Sequence, residues 1–214
     1  MPRKKWTFTD EQAARQVNRQ AYYKALGRFL DMFAKVETAV TLTLWKYAGT
    51  PTEVSKVIFA GTKIEVGSAH IKQLAEAINA SQHHREDLTK VLQQLGIING
   101  VRNAILHYGA TSIEEGNAIV SNALKAKGEP TVFPISPQDL DDMTWDLLSI
   151  ITHLNHIHLA RQQTGGGGIL DAALAAPWRY KHPLPPKAPP KKEESRPQGK
   201  RHPKPPPPPE SSQE

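Results

Sequence analysis

Apolar residues recur at helical spacing in several long stretches of this chain. Tyr22, Leu26, Phe29, Phe33, Val36, Val40, Leu44 and Tyr47 follow one another at intervals of 4, 3, 4, 3, 4, 4 and 3 residues. That is one unbroken stripe on a long first helix. Thr9-Asp10-Glu11-Gln12 fits a capping box ahead of it, with Thr9 as N-cap and Gln12 at N3. Gly49 and Pro51 end it, and Gly27 inside it marks a kink, a close crossing or a local cost. A short second helix starts at Thr50-Pro51-Thr52-Glu53 and runs to Gly61, and residues 62–67 read as a turn. A third helix spans 68–80, with Ile71, Leu74, Ala75 and Ile78 on one face. Ser81 to His84 reads as a polar break. A fourth helix covers 85–108, burying Leu88, Val91, Leu92, Leu95, Ile98, Val101 and Ile105. Gly109 is the kind of residue that ends a helix in the left-handed conformation.

Beyond Gly109 the period changes. Asn117–Leu124 and Thr131–Ile135 are short and partly β-branched, with Lys127-Gly128-Glu129-Pro130 between them, a hairpin signal. Ser136-Pro137-Gln138-Asp139 offers Ser as N-cap, Pro at N1 and an acid at N3. The last long helix carries Leu140, Met143, Leu147, Ile150, Ile151, Leu154, Ile157 and Leu159 to about Arg161. Thr164 and Gly165–Gly168 form a linker, and Ile169–Ala176 can make one short helix. From Pro177 onward 13 of 38 residues are Pro and most others are Lys, Arg, Glu or Ser, a composition that builds no core. The expected fold is all-α: a bundle of four to five helices with a small β-hairpin insertion before the last helix, plus a disordered Pro-rich C-terminal tail. The expected divisions are a helical domain over 1–162, a Gly linker and short helix over 163–176, and the tail over 177–214. The aromatic residues Tyr22, Phe29, Phe33 and Trp145 are expected in the core.

Composition narrows the function classes. There is no Cys, hence no disulfide framework, thiolate metal site or cysteine nucleophile. No apolar run approaches the roughly 20 residues needed to span a bilayer. The basic start, Met1-Pro2-Arg3-Lys4-Lys5-Trp6, leads into no apolar signal core. A cytoplasmic protein with no membrane partner is the expectation. The net charge of +6 resides in the ends: residues 177–214 carry a net +5 and residues 1–5 a net +3, whereas 6–176 carry a net −2. The folded body is therefore no bulk nucleic-acid platform. Contact with RNA requires a local patch, a dimer cleft or the flexible basic ends.

The chemistry concentrates in Arg102-Asn103-Ala104-Ile105-Leu106-His107, at the end of the fourth helix. RNA carries its own nucleophile, the 2′-OH, so its cleavage needs no metal. It needs a base, an acid for the 5′-oxygen and charge stabilisation at phosphorus. His107 can move a proton near neutral pH. Arg102 can clamp a phosphate through two parallel N–H bonds, which Lys does not reproduce. Asn103, four residues before His107 on one face, can orient it. Residues five apart lie about 140° apart around an ideal helix, so Arg102 and His107 converge only if the Arg side chain bends round, the last turn deforms or a dimer cleft pairs two copies. The plain alternatives are an Arg102 that bridges to an acid, a His107 that merely ends a helix and an Asn103 that is surface.

This segment and the order of elements resemble the HEPN superfamily of small helical nucleases and their inactive relatives. Arg102 to His107 matches that family's Arg-polar-x-x-x-His motif. Phe29-Leu30-Asp31-Met32-Phe33-Ala34-Lys35-Val36-Glu37 is similar to its long first helix, and the motif, hairpin and terminal helix follow in the same order. The resemblance covers residues 20–162 and stops short of the Gly linker and the tail. It implies a metal-independent endoribonuclease, active as a homodimer with both motifs lining the cleft, that leaves a 2′,3′-cyclic phosphate and uses no cofactor. Carried over by position, Arg102 and His107 match the catalytic pair, Asn103 the polar position, and Glu37 an acid that some members place on the early helix. By its own residue chemistry Glu37 reads as solvated or salt-bridged before it reads as catalytic.

The remaining candidates are weaker. His153, His156 and His158 raise the question of a metal, but no acid or Cys accompanies them in that turn. His83-His84 reads as a polar loop. In the tail, Pro186-x-x-Pro189 with flanking Lys can dock an aromatic groove, its basic residues can hold RNA, or it serves as a solubilising spacer. Two functions from different classes stand. One is a ribonuclease, a toxin or defence effector acting on tRNA or another structured RNA, with an antitoxin as a possible protein partner. The other is a non-catalytic HEPN-like dimeric binding or adaptor module for a nucleotide or a protein.

Overall fold

A computed structural model describes residues 10–114, 117–121, 132–159 and 176–181; at 10, 11, 14, 111, 112, 114, 133 and 156–159 it describes the backbone alone. Five helices and three strands follow in the order α1 (Asp10–Ala48), α2 (Thr52–Phe59), α3 (Ile64–Ala77), α4 (Gln82–Tyr108), β1 (Ala110–Glu114), β2 (Asn117–Ser121), β3 (Val132–Ile135) and α5 (Pro137–Leu159). The protein is a mostly helical bundle with a small antiparallel insertion before its last helix, as the apolar periodicity predicts. The expected linker, its short helix as far as Ala175, and the tail from His182 lie outside the described residues, as does the capping Thr9.

The 39 residues of α1 make the spine. At about 1.5 Å per residue it is long enough for α2, α3, α5 and β1 all to pack on it. Its stripe from Tyr22 to Tyr47 is buried throughout except at Leu26, which is partly covered. All seven predicted apolar positions of α4 are buried. From α5, Leu140, Met143, Leu147, Ile150 and Leu154 complete the same core. Gly27 sits in continuous helix, and a Cβ there meets nothing within 4 Å, so its cost is local and no helix crosses close by. The Ser136 cap forms as the sequence predicts: Asp139 N–H donates to Ser136 Oγ at 3.0 Å, and Ser136 N–H donates back to Asp139 Oδ2 at 2.8 Å.

Several boundaries differ from the sequence reading. Helix α3 begins at Ile64, inside the expected turn, because Ile64 is buried and Gly67 lets the helix approach α1 closely. A Cβ on Gly67 would lie 3.0 Å from Val40 Cγ1. The expected break at Ser81–His84 is the first turn of α4: Ser81 caps it by accepting from the His84 N–H at 3.3 Å, and His84 Nε2 pairs with the Tyr47 hydroxyl. The hairpin strands β2 and β3 pair antiparallel, Ala118 opposite Ile135 and Ser121 opposite Val132. A third strand, β1, joins β2 to give the order β1-β2-β3. Ala118, Val120 and Ile135 are buried, and β2 lies against α4.

Two further expectations are corrected. Trp145 is half-exposed, because α5 turns its Leu147 and Met143 face inward, and its ring instead carries the Arg179 guanidinium at 4.6 Å. Residues 177–181, expected in the tail, belong with the described body. Tyr180 is buried in the core, and Asp146 on α5 accepts the main-chain N–H groups of Arg179 (2.9 Å) and Tyr180 (3.0 Å). Gln94 on α4 donates to the same carboxylate at 2.9 Å and to the Tyr180 carbonyl at 3.2 Å. These partners satisfy a carboxylate that is only 2% exposed.

Candidate functional site

The site lies where Arg102, in the last two turns of α4, reaches Phe33 and Glu37 of α1. Helix α4 buries Val101 and Ile105, which leaves Arg102 and Asn103 half-buried beside α1 and Leu106, His107 and Tyr108 exposed at its end. Gly109 closes the helix with φ of 66°, and its N–H donates to the Ile105 carbonyl at 2.8 Å.

Arg102 is held from three sides. Its guanidinium carbon sits 5.0 Å from the centre of the Phe33 ring. Its Nη2 is 3.7 Å from Glu37 Oε1, one helical turn further along α1. Its Nη1 donates to Asn103 Oδ1 at 3.0 Å. The aromatic face contributes about 0.5–1 kcal/mol. The half-exposed ion pair contributes a fraction of a kcal/mol, so its value is directional. Together they hold a planar, permanently charged fork in one orientation. The Nε–H has no partner among the described residues.

The structure thus brings together Arg102, Asn103 and Glu37. It does not bring His107 to them within one chain. His107 makes an edge-on contact with Tyr108, ring centres 6.4 Å apart, and no hydrogen bond joins it to Asn103. The orienting role expected of Asn103 goes to Arg102 instead, because a charged donor outcompetes a more distant imidazole for its single carbonyl oxygen. His107 does share a stripe of α4 with Gly96, Gly100 and Asn103, spaced 4, 3 and 4 residues apart, and Gly96 and Gly100 are exposed.

Sequence reading missed Phe33 as a partner of the site, taking it for core alone. It also missed Asn99, one turn before Arg102, which is buried and donates to Glu65 on α3. A polar residue in the apolar face of α4 was the available signal. The described residues hold no group of three or more His, Asp or Glu placed to bind a metal ion. Of the three histidines on α5, His153 lies 5.9 Å ring to ring from Trp178, and the side chains of His156 and His158 lie outside the described residues. No described helix is long and apolar enough to cross a membrane. Compared with protein-family models, curated proteins and solved structures, the chain matches none.

Proposed function

We propose that this protein is a metal-independent endoribonuclease of the HEPN type, active as a homodimer, with Arg102 and His107 as its working pair. The observation that carries this reading is the fixing of Arg102 by Phe33, Glu37 and Asn103 just ahead of an exposed His107. Arg102 receives the scissile phosphate, whose oxygens replace the Glu37 carboxylate on the guanidinium. His107 moves the proton of the 2′-OH or of the leaving 5′-oxygen. Asn103 keeps Arg102 in plane, and Glu37 offers a carboxylate beside the phosphate. The product is a 2′,3′-cyclic phosphate.

A second copy supplies what one chain lacks. Gly96 and Gly100 present no side chain on the stripe that ends at His107, which suits close approach of a partner helix. Packed there, the His107 of one copy approaches the Arg102 of the other. With this reading goes a toxin or defence role on tRNA or another structured RNA.

The test is cleavage of total tRNA and of an unstructured RNA in EDTA, by wild type, Arg102→Ala and His107→Ala. Wild type should cut and leave cyclic phosphate ends, and both variants should lose activity by orders of magnitude. Equal cutting by wild type and Arg102→Ala would overturn the reading. A non-catalytic dimeric binding module is the alternative, favoured by the engagement of Arg102 with Glu37 and Asn103. Its mark is thermal stabilisation by a nucleotide or a protein partner without cleavage.

A further inference from the structure

A groove of about 390 Å³ runs along α1 from Glu37 past Thr41 to Trp45, closed on its other side by Lys56 of α2 and by Thr62 and Lys63 of the α2–α3 connection. Its volume falls in the range of small-ligand sites. Glu37 belongs both to this groove and to the ion pair with Arg102, so one end of the groove and the proposed phosphate position share that residue. We infer that it holds the nucleotide flanking the phosphate bound at Arg102, as part of a single-stranded RNA segment.

The chemistry fits that occupant. Trp45 provides an aromatic body of the kind on which bases stack without sequence preference. Lys63 is exposed, and Lys56 is committed only to a solvent-facing contact with Glu53 three residues away. Both ammonium groups can therefore turn to a phosphate at little cost. The groove thus gathers two lysines on a body whose net charge is −2, a local basic patch of the kind that RNA contact requires. The geometry selects single strands, because a base enters a groove of this kind only when it is unpaired.

The inference rests on the reading of Arg102 as a phosphate-binding residue, and its test separates the two. Full-length His107→Ala is titrated into a short fluorescein-labelled single-stranded RNA and followed by anisotropy. The same protein carrying Lys56→Glu and Lys63→Glu is compared with a control carrying Lys24→Glu and Lys90→Glu, which makes the same charge change outside the groove. The groove pair should weaken binding about tenfold or more relative to the control. Ala60→Trp, which places a large side chain at the groove wall, should weaken it in the same direction. In the cleaving protein the groove pair should raise KM and leave kcat nearly unchanged. Equal binding by groove and control variants overturns the inference even where cleavage depends on Arg102. RNA binding that falls with the groove pair in a protein that never cleaves upholds the groove and overturns only the nuclease reading.

Discussion

Two truncations five residues apart should behave differently. Ending the chain at Lys181 removes only residues outside the described body, whereas ending it at Ala176 also removes the clip that Asp146 and Gln94 hold. Burial of the Tyr180 side chain contributes about 2–3 kcal/mol. The two main-chain bonds to Asp146 add about 1 kcal/mol each, and Arg179 on Trp145 adds about 0.5–1 kcal/mol. Against this sum of about 4.5–6 kcal/mol stands the cost of ordering about four residues, roughly 1 kcal/mol each. The net is about 1 kcal/mol. With a urea slope of about 2 kcal/mol per molar, the midpoint of the chain ending at Ala176 should fall by about 0.5 M, and that of the chain ending at Lys181 should stay with wild type. Tyr180→Ala in the full chain should reproduce most of the loss. Coincident midpoints for the two truncations would refute the argument that the clip is part of the fold.

Glycines on the two sides of α1 should respond oppositely: Gly27→Ala should stabilise by about 0.5–1 kcal/mol, since its Cβ meets nothing, and Gly67→Ala should destabilise by about 1–3 kcal/mol against Val40 and Leu44. Thermal melts decide both, and matching signs would refute the packing account. On the proposed reading as a dimeric nuclease, Gly100→Phe adds a ring in open space, so it should leave the helical circular-dichroism signal intact while the sedimenting species shifts from dimer to monomer and cleavage is lost; a cleaving dimer would remove α4 from the interface. Burial holds the Asp146 carboxyl above the ordinary carboxylate range, outweighing the N–H groups of Arg179, Tyr180 and Gln94 aimed at it. Such a group contributes stability that is complete below its unfolded pKa and lost as pH rises through its folded one. Wild type should therefore gain on Asp146→Asn as pH falls from about 7 towards about 4, and a gap that instead shifts towards the variant would reverse the assignment.

The helices were legible because their signal is redundant. Eight apolar positions at intervals of three and four fix the inner face of α1 whatever its partner, and the same holds for the seven of α4. What failed was decided by tertiary contact. Residues 62–67 look like a turn by themselves, yet Ile64 has a core to enter and Gly67 has a helix to approach, so α3 begins early. Strand β1 has Ile113 as its single large apolar residue, so it does not announce itself, and it forms because β2 offers it an edge. Trp178-Arg179-Tyr180 stands among Pro and Lys, where composition predicts disorder, and is ordered by an aspartate 34 residues before Tyr180 in the chain.

The site divides along the same line. Arg102, Asn103 and His107 were readable because motif spacing is local, and the chemistry of an arginine beside a histidine is the same on any helix. Which of them meet was not readable, because that depends on a crossing between α1 and α4 that neither helix encodes alone. Phe33 shows why. It belongs to the buried stripe by period and is counted as core, yet α4 crosses where its ring faces a guanidinium. Glu37, four residues on, then falls beside the same guanidinium at the lip of the groove. One turn of α1 thus supplies the platform for Arg102, its counter-ion and one end of the groove. A change of crossing angle would separate all three from Arg102 at once, so the long stripe that fixes α1 in the core also fixes the geometry on which any phosphate chemistry here depends.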